Sequence, residues 1–209
     1  EEIAREGIDA RLAYRHLPTG RCLVIHMPGS MTSIACAPGA APELNPEQIT
    51  DEAVAASKAV FFDGQLLRKK EIILRTADMC ARHGKILALD MASIDVCRTA
   101  STLVEPLAGK TELCLFMNSD EAAVLALAMG LEPSNSAERI YQKLGGSRNS
   151  KLTLIEKRGA DGAMLYSPEG IYSIPGVRTE TVLDTTGCGD VFEGTWLHAV
   201  LSGLSSRDA

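Results

Sequence analysis

Short β-rich runs alternate with longer stretches of helical spacing along most of this chain. RCLVIHM (21–27) and TSIACA (32–37) are apolar and rich in strand formers, and the PGSM between them carries Pro28 and Gly29, so a hairpin is predicted. SKAVFF (57–62) reads as a strand ending at Asp63-Gly64. From 68 to 82, Ile72, Ile73, Ala77, Met79 and Cys80 recur at broadly helical spacing, and His83-Gly84 stops that helix. KILALD (85–90) and ELCLFMN (112–118) are further short apolar strands; DEAAVLALAMG (120–130) is a helix with acidic residues in its first turn. The segment 151–176 departs from the alternation, because its β-like runs are joined by short turns at Gly159 to Gly162 and Pro168 to Gly170. Hairpins on the same sheet are expected there.

Strand and helix in alternation predict parallel strands joined by right-handed crossovers. The fold class is therefore α/β, a doubly wound, mostly parallel sheet flanked by helices, which takes ligands at the carboxyl ends of its strands. Asp63 and Asp90 stand at such ends and could face a site or simply cap loops. A chain of 209 residues fits one such unit, without repeats or a clear linker.

Composition and charge remove some function classes. A formal net charge of −6 recommends neither a nucleic-acid nor a membrane partner, though backbone amides can bind phosphate in an acidic protein. The apolar runs are too short to span a membrane and EEIAREGID lacks signal-peptide features, so a cytoplasmic location is expected. Cys22, Cys36, Cys80, Cys97, Cys114 and Cys188 lie far apart without metal or redox spacing and are expected to be reduced, mostly buried thiols. His16, His26, His83 and His198 show neither metal spacing nor a nucleophile partner.

The candidate chemistry lies in VLDTTGCGDVFEGTWLHAVLSG (182–203). From Gly189 onward Phe192, Trp196, Ala199, Val200 and Gly203 follow helical spacing, so Gly187, Cys188 and Gly189 form the turn entering a helix, with Asp190 in its first turn. Successive amides there make an anion site, and a carboxylate beside it suits removal of a hydroxyl proton while charge builds on a transferred phosphoryl group. Glycine turns and first-turn aspartates also serve purely structural ends. Asn118 and Glu121, three apart where a strand meets a helix, share one side of its first turn. On local grounds Asn118 could be an N-terminal cap and Glu121 a dipole partner.

DTTGCGDVF resembles the DTTGAGD signature of the ribokinase/PfkB family of carbohydrate and nucleoside kinases. EGID, TGRCLVI, APGAAPEL, NSDE and KRGADGA occur in the order the family places them. The resemblance spans the chain and implies a ribokinase-like domain over 1–209 that includes strands of a small β lid within 10–40. It implies Asp190 as catalytic base, Gly187, Cys188 and Gly189 as anion hole, and Asn118 and Glu121 as the N-x-x-E pair that organises magnesium. Gly159 and Gly162 match the G-x-x-G turn beside the nucleotide, leaving Lys157 and Arg158 as phosphate-facing cations. Asp184 and Thr186 match ligands of a monovalent cation, potassium. Two positions depart from the pattern: Cys188 stands where alanine is usual, and Lys157 where threonine is often found.

The implied activity is ATP-dependent transfer of the γ-phosphoryl group to a primary hydroxyl of a sugar or nucleoside. Alternatives are an adenosine kinase specifically, which TGRCLVI and FFDGQLLRKKE resemble, or a non-catalytic kinase-like binding protein. The expected partner is a small-molecule substrate, and the resemblance also admits a homodimer through the lid. Family members usually run longer, so a chain incomplete at both ends is expected.

Overall fold

The computed structural model describes residues 2–27, 31–179, 182 and 184–209. They fall into two compact units, residues 1–48 and 49–209. In the first, a short helix α1 (Glu2–Arg5) precedes β1 (Arg21–Met27) and β2 (Met31–Ala37), which pair antiparallel with Cys22 opposite Cys36 and Val24 opposite Ile34. The hairpin expected over 21–37 is therefore present, while its Pro28-Gly29 turn and the His26 side chain lie outside the described residues.

The second unit is built on a six-stranded sheet in the order β3 (Ala59–Phe62), β4 (Ile86–Asp90), β5 (Glu112–Asn118), β6 (Leu152–Lys157), β7 (Ala163–Ser167), β8 (Gly170–Ile174). Neighbours from β3 to β6 are parallel, and the last two pairings are antiparallel. This is the expected alternation followed by hairpins.

The connecting helices follow from local signals. Helix α2 (Asp51–Ala56) starts where Thr50 accepts a hydrogen bond from Ala53 N–H. Helix α3 (Lys70–His83) ends on Gly84 at φ +61°, a conformation glycine takes without strain. Asp63 caps the short 3₁₀ turn Gly64–Arg68 by accepting from Gln65 N–H at 2.8 Å, so of its two expected roles it takes that of loop cap. Besides the short α1 and α2, two longer helices have no counterpart in the sequence reading: α4 (Ile94–Leu107), capped by Ser93, and α6 (Ser136–Lys143). Helix α5 (Ser119–Ala128) lies between them, and α7 (Cys188–Leu201) follows the sheet.

Trp196 and Leu197 of α7 pack on one face of the sheet with Ala88, Cys114, Phe116, Ile155, Ala163 and Leu165. Phe116 meets Trp196 edge to face at 5.6 Å. The alternate residues Leu87, Leu89, Leu113, Leu115 and Leu154 are buried as well, so both faces are covered. Strands β3 to β6 stand side by side in chain order, so three like-handed crossovers advance in one direction and set their helices on the face opposite α7. All four parallel strands then present their carboxyl ends along one edge. Asp90, Asn118 and Lys157 are each the last residue of its strand there.

Three of the six cysteines, Cys80, Cys97 and Cys114, are buried, and burial pushes their thiol pKa values up. The expectation of mostly buried thiols fails for Cys22, Cys36 and Cys188, which are exposed. They sit on a two-stranded hairpin and in a glycine turn, where no second layer covers them among the described residues.

Candidate active site

Helix α7 places the signature residues. Gly187 caps it at φ +80°, and an ideal Cβ at Gly187 would lie 4.0 Å from Asp190 Oδ2, so the exposed carboxylate overhangs the glycine turn. Cys188 N–H donates to Thr185 O at 3.1 Å within that turn. Just before it, Asp184 Oδ1 accepts from Thr186 N–H at 2.9 Å and from Thr186 Oγ at 2.8 Å. The two residues matched to a monovalent-cation site thus form a local turn with both oxygens on one side.

Beneath the turn lies a cluster absent from the sequence reading. Lys157 Nζ stands 3.4 Å from where a Cβ on Gly189 would be. It donates to Asp90 Oδ1 at 3.3 Å and, over a shorter distance, to Glu193 Oε1. Lys157, taken from sequence as a phosphate-facing cation, is therefore clasped by two carboxylates from β4 and α7. Glu193 is 1% exposed, and its Oε2 is a buried oxygen with no hydrogen-bond partner among the described residues. Burial pushes its pKa up to about 7; the Lys157 hydrogen bond opposes the shift and the Asp90 charge adds to it. For Lys157 burial works the other way, yet Glu193 and Asp90 outweigh it and the ammonium holds its proton more tightly than usual.

The signal for Glu193 was present in the sequence: it lies one turn before Trp196 and Leu197 on a helix with little other charge. A carboxylate on the apolar face of a helix needs a cation beside it.

Asn118 and Glu121 form a reciprocal cap on α5. Asn118 Oδ1 accepts from Glu121 N–H at 2.9 Å, and Glu121 Oε2 accepts from Asn118 N–H at 2.8 Å. Glu121 is buried, which raises its pKa, while the Asn118 amide pulls it back down. Each engaged oxygen keeps a second lone pair, so the pair fits magnesium held through water rather than by displacement of the cap. Among the described residues no group of three or more His, Cys, Asp or Glu side chains is placed to hold a metal ion directly.

Glu156, next to Lys157, accepts from Ser119 Oγ at 2.8 Å and pairs with Arg158 at 2.7 Å. Arg158 is thereby tied to the sheet edge, its pKa raised by Glu156. Gly159 and Gly162 both take positive φ, and a Cβ on Gly162 would sit 2.0 Å from Ile174 O. The G-x-x-G turn is thus pressed against the chain leaving β8. The structure brings Asp190, Gly189, Lys157, Asp90 and Glu193 together; Asn118 ends β5 beside Lys157 in register.

The profile of the pfkB family carbohydrate kinases matches residues 1–209. Among curated proteins, the chain is 22% identical over 175 residues to 5-dehydro-2-deoxygluconokinase of Bacillus anthracis, a match covering 79% of this chain and 51% of that protein. The chain thus spans about half the length of the curated relatives it matches. Among solved structures, ribokinase from Thermotoga maritima superposes with a TM-score of 0.68 at 26% identity, over 92% of this chain and 59% of that one. Adenosine kinase from Sinorhizobium meliloti gives 0.77 at 23%, over 90% and 56%. Among the described residues no helix is long and apolar enough to cross a membrane.

Proposed function

Since the chain belongs to the pfkB family of carbohydrate kinases, we propose that the protein transfers the γ-phosphoryl group of ATP to a primary hydroxyl of a sugar, sugar acid or nucleoside. The observation that supports this most is the Asp190 carboxylate overhanging a glycine turn at the N-terminus of α7, which the Lys157 clasp ties to the carboxyl edge of the parallel sheet. In this reading Asp190 accepts the hydroxyl proton. The N–H groups of Gly187, Cys188 and Gly189 face the phosphoryl oxygens, with Cys188 exchanging its bond to Thr185 O for one to the ligand. Magnesium supplies charge neutralisation on the phosphates when bound, and Asn118 and Glu121 hold its waters. Gly159 and Gly162 let the backbone turn tightly beside the nucleotide, and Asp184 and Thr186 offer oxygens to a potassium ion. Strands β1 and β2 belong to a lid that keeps water from competing for the phosphoryl group.

The whole protein, assayed by ATP consumption against 5-dehydro-2-deoxygluconate, ribose, fructose and adenosine, tests the activity and finds the acceptor. With that acceptor, Asp190→Asn should lower kcat by about 10² to 10⁴ while nucleotide affinity and melting temperature hold. A kcat within about threefold of the parent would refute Asp190 as the base.

A further inference from the structure

We propose that Cys22 and Cys36 form a redox modification site, a surface dithiol that a small-molecule disulfide such as glutathione disulfide converts to an intrachain disulfide across the β1–β2 hairpin. Three observations carry it. The two residues are directly opposed in the antiparallel register. Opposed positions hold their Cα atoms about 4.5 to 5.5 Å apart, inside the roughly 4.4 to 6.8 Å a disulfide spans, so the strands need not move to close the bond. The two thiols also face each other, with sulfurs in hydrogen-bond contact at 2.7 Å. Both are exposed, beside Arg21, Leu23, Ala35 and Ala37 on an open, shallow concavity, so a tripeptide disulfide reaches them. Cys80, Cys97 and Cys114 are sealed in the core of the other unit, and Cys188 stands in the glycine turn that opens α7.

The chemistry is two successive thiol–disulfide exchanges, and the facing geometry serves either sulfur as the first to attack. One thiolate of the pair displaces one glutathione thiolate, which takes up a proton, and leaves a protein–glutathione mixed disulfide. The other thiol then loses its proton, attacks the bonded protein sulfur and displaces the second glutathione. Two protein thiols are oxidised by two electrons, and one glutathione disulfide is reduced to two glutathiones.

The bond fixes what the hairpin otherwise holds weakly. Among the described residues β1 and β2 pair only with each other, and an isolated two-stranded ribbon is marginal in water. A one-residue slip would turn every side chain of one strand to the other face; the cross-link forbids it.

Cys22 and Cys36 fall in one tryptic peptide, residues 22–58, so the test reads directly by mass. The folded chain is equilibrated with glutathione disulfide, blocked with an alkylating agent, digested and weighed, with and without prior treatment by a dithiol reductant. The expected product is peptide 22–58 lighter than its dithiol form by two hydrogens, carrying no alkyl group and restored by reductant, while Cys188 is alkylated or carries a single glutathione. Cys36→Ser should stop the sequence at one glutathione on Cys22. Amide exchange across 21–37 should become about tenfold slower on oxidation and remain unchanged in Cys36→Ser. The proposal is overturned if peptide 22–58 carries two glutathiones, is alkylated as readily as Cys188, or links to another chain.

Discussion

Replacing Glu193 by glutamine tests whether the buried clasp is an ionised pair or a carboxyl group poised to neutralise. The glutamine side chain keeps the shape and an oxygen for Lys157 to donate to, but cannot ionise. In the parent, burial holds the Glu193 pKa at about 7 against an ordinary 4.5. A folded-state value above the unfolded one means the native protein binds the extra proton. The stability this contributes is complete below the unfolded value and is lost as pH rises through the folded one. Integrated between pH 5 and 8, a shift of this size removes on the order of 2 to 3 kcal/mol from the parent. The variant lacks this contribution, so its stability relative to the parent should improve by a similar amount, on the order of 2 to 3 kcal/mol, over that interval. Subtracting the two stability–pH curves cancels the other titrating groups, including Glu121, whose raised pKa contributes in the same direction. Urea unfolding of parent and Glu193→Gln at half-unit pH steps measures the difference. Parallel curves would refute the reasoning and show Glu193 charged throughout, with Lys157 outweighing burial.

Gly162→Ala should be strongly destabilising, because the residue takes φ +89° and a Cβ would meet Ile174 O at 2.0 Å. A loss of roughly 2 to 4 kcal/mol, seen as a melting temperature lower by on the order of 10 °C, is expected, against a much smaller loss for Gly145→Ala; equal losses would refute the close-approach argument. Gly145 has φ +81° but nothing within 4 Å of the added Cβ, so only its backbone strain counts. If Asp184 and Thr186 hold a monovalent cation, activity of the whole protein should rise on adding potassium to a sodium buffer and lose that response in Asp184→Ala; full activity in sodium alone excludes the site.

What was legible in the sequence divides along physical lines. Strands β4 and β5 and the start of α7 came through almost residue for residue, because continuous apolar runs bounded by Gly, Asp or Asn are what a buried parallel strand and its turn require. Helix α4 escaped notice since IDVCRTASTLVEPL mixes β-branched residues with Pro106 near its end, so its propensity is poor and its helicity comes from packing against α5. The Cys22–Cys36 and Lys157–Asp90–Glu193 groupings were illegible for a different reason. Their members lie 14, 67 and 36 positions apart, and only strand register and the placement of α7 bring them together.

The clasp also accounts for the residue at 157, where the family resemblance led to an expectation of threonine. An ammonium in that position enters a half-buried pocket under Gly189, where an isolated charge is expensive and a single carboxylate leaves the remaining donors unmet. Asp90 closes β4 on one side, and Glu193 reaches from α7 on the other. Three ionisable groups then share two or three charges according to whether Glu193 holds its proton, so the cluster is neutral with Glu193 protonated and carries one negative charge without it. A negative charge behind the glycine turn opposes a phosphoryl group in front of it. The favourable state for binding an anion is the protonated one, and the shift of Glu193 toward neutrality makes that state accessible near physiological pH. On the proposed function, attraction for the anion would then fall to the amides of the turn and the α7 dipole, while the Lys157 clasp ties the helix beneath them to the sheet edge.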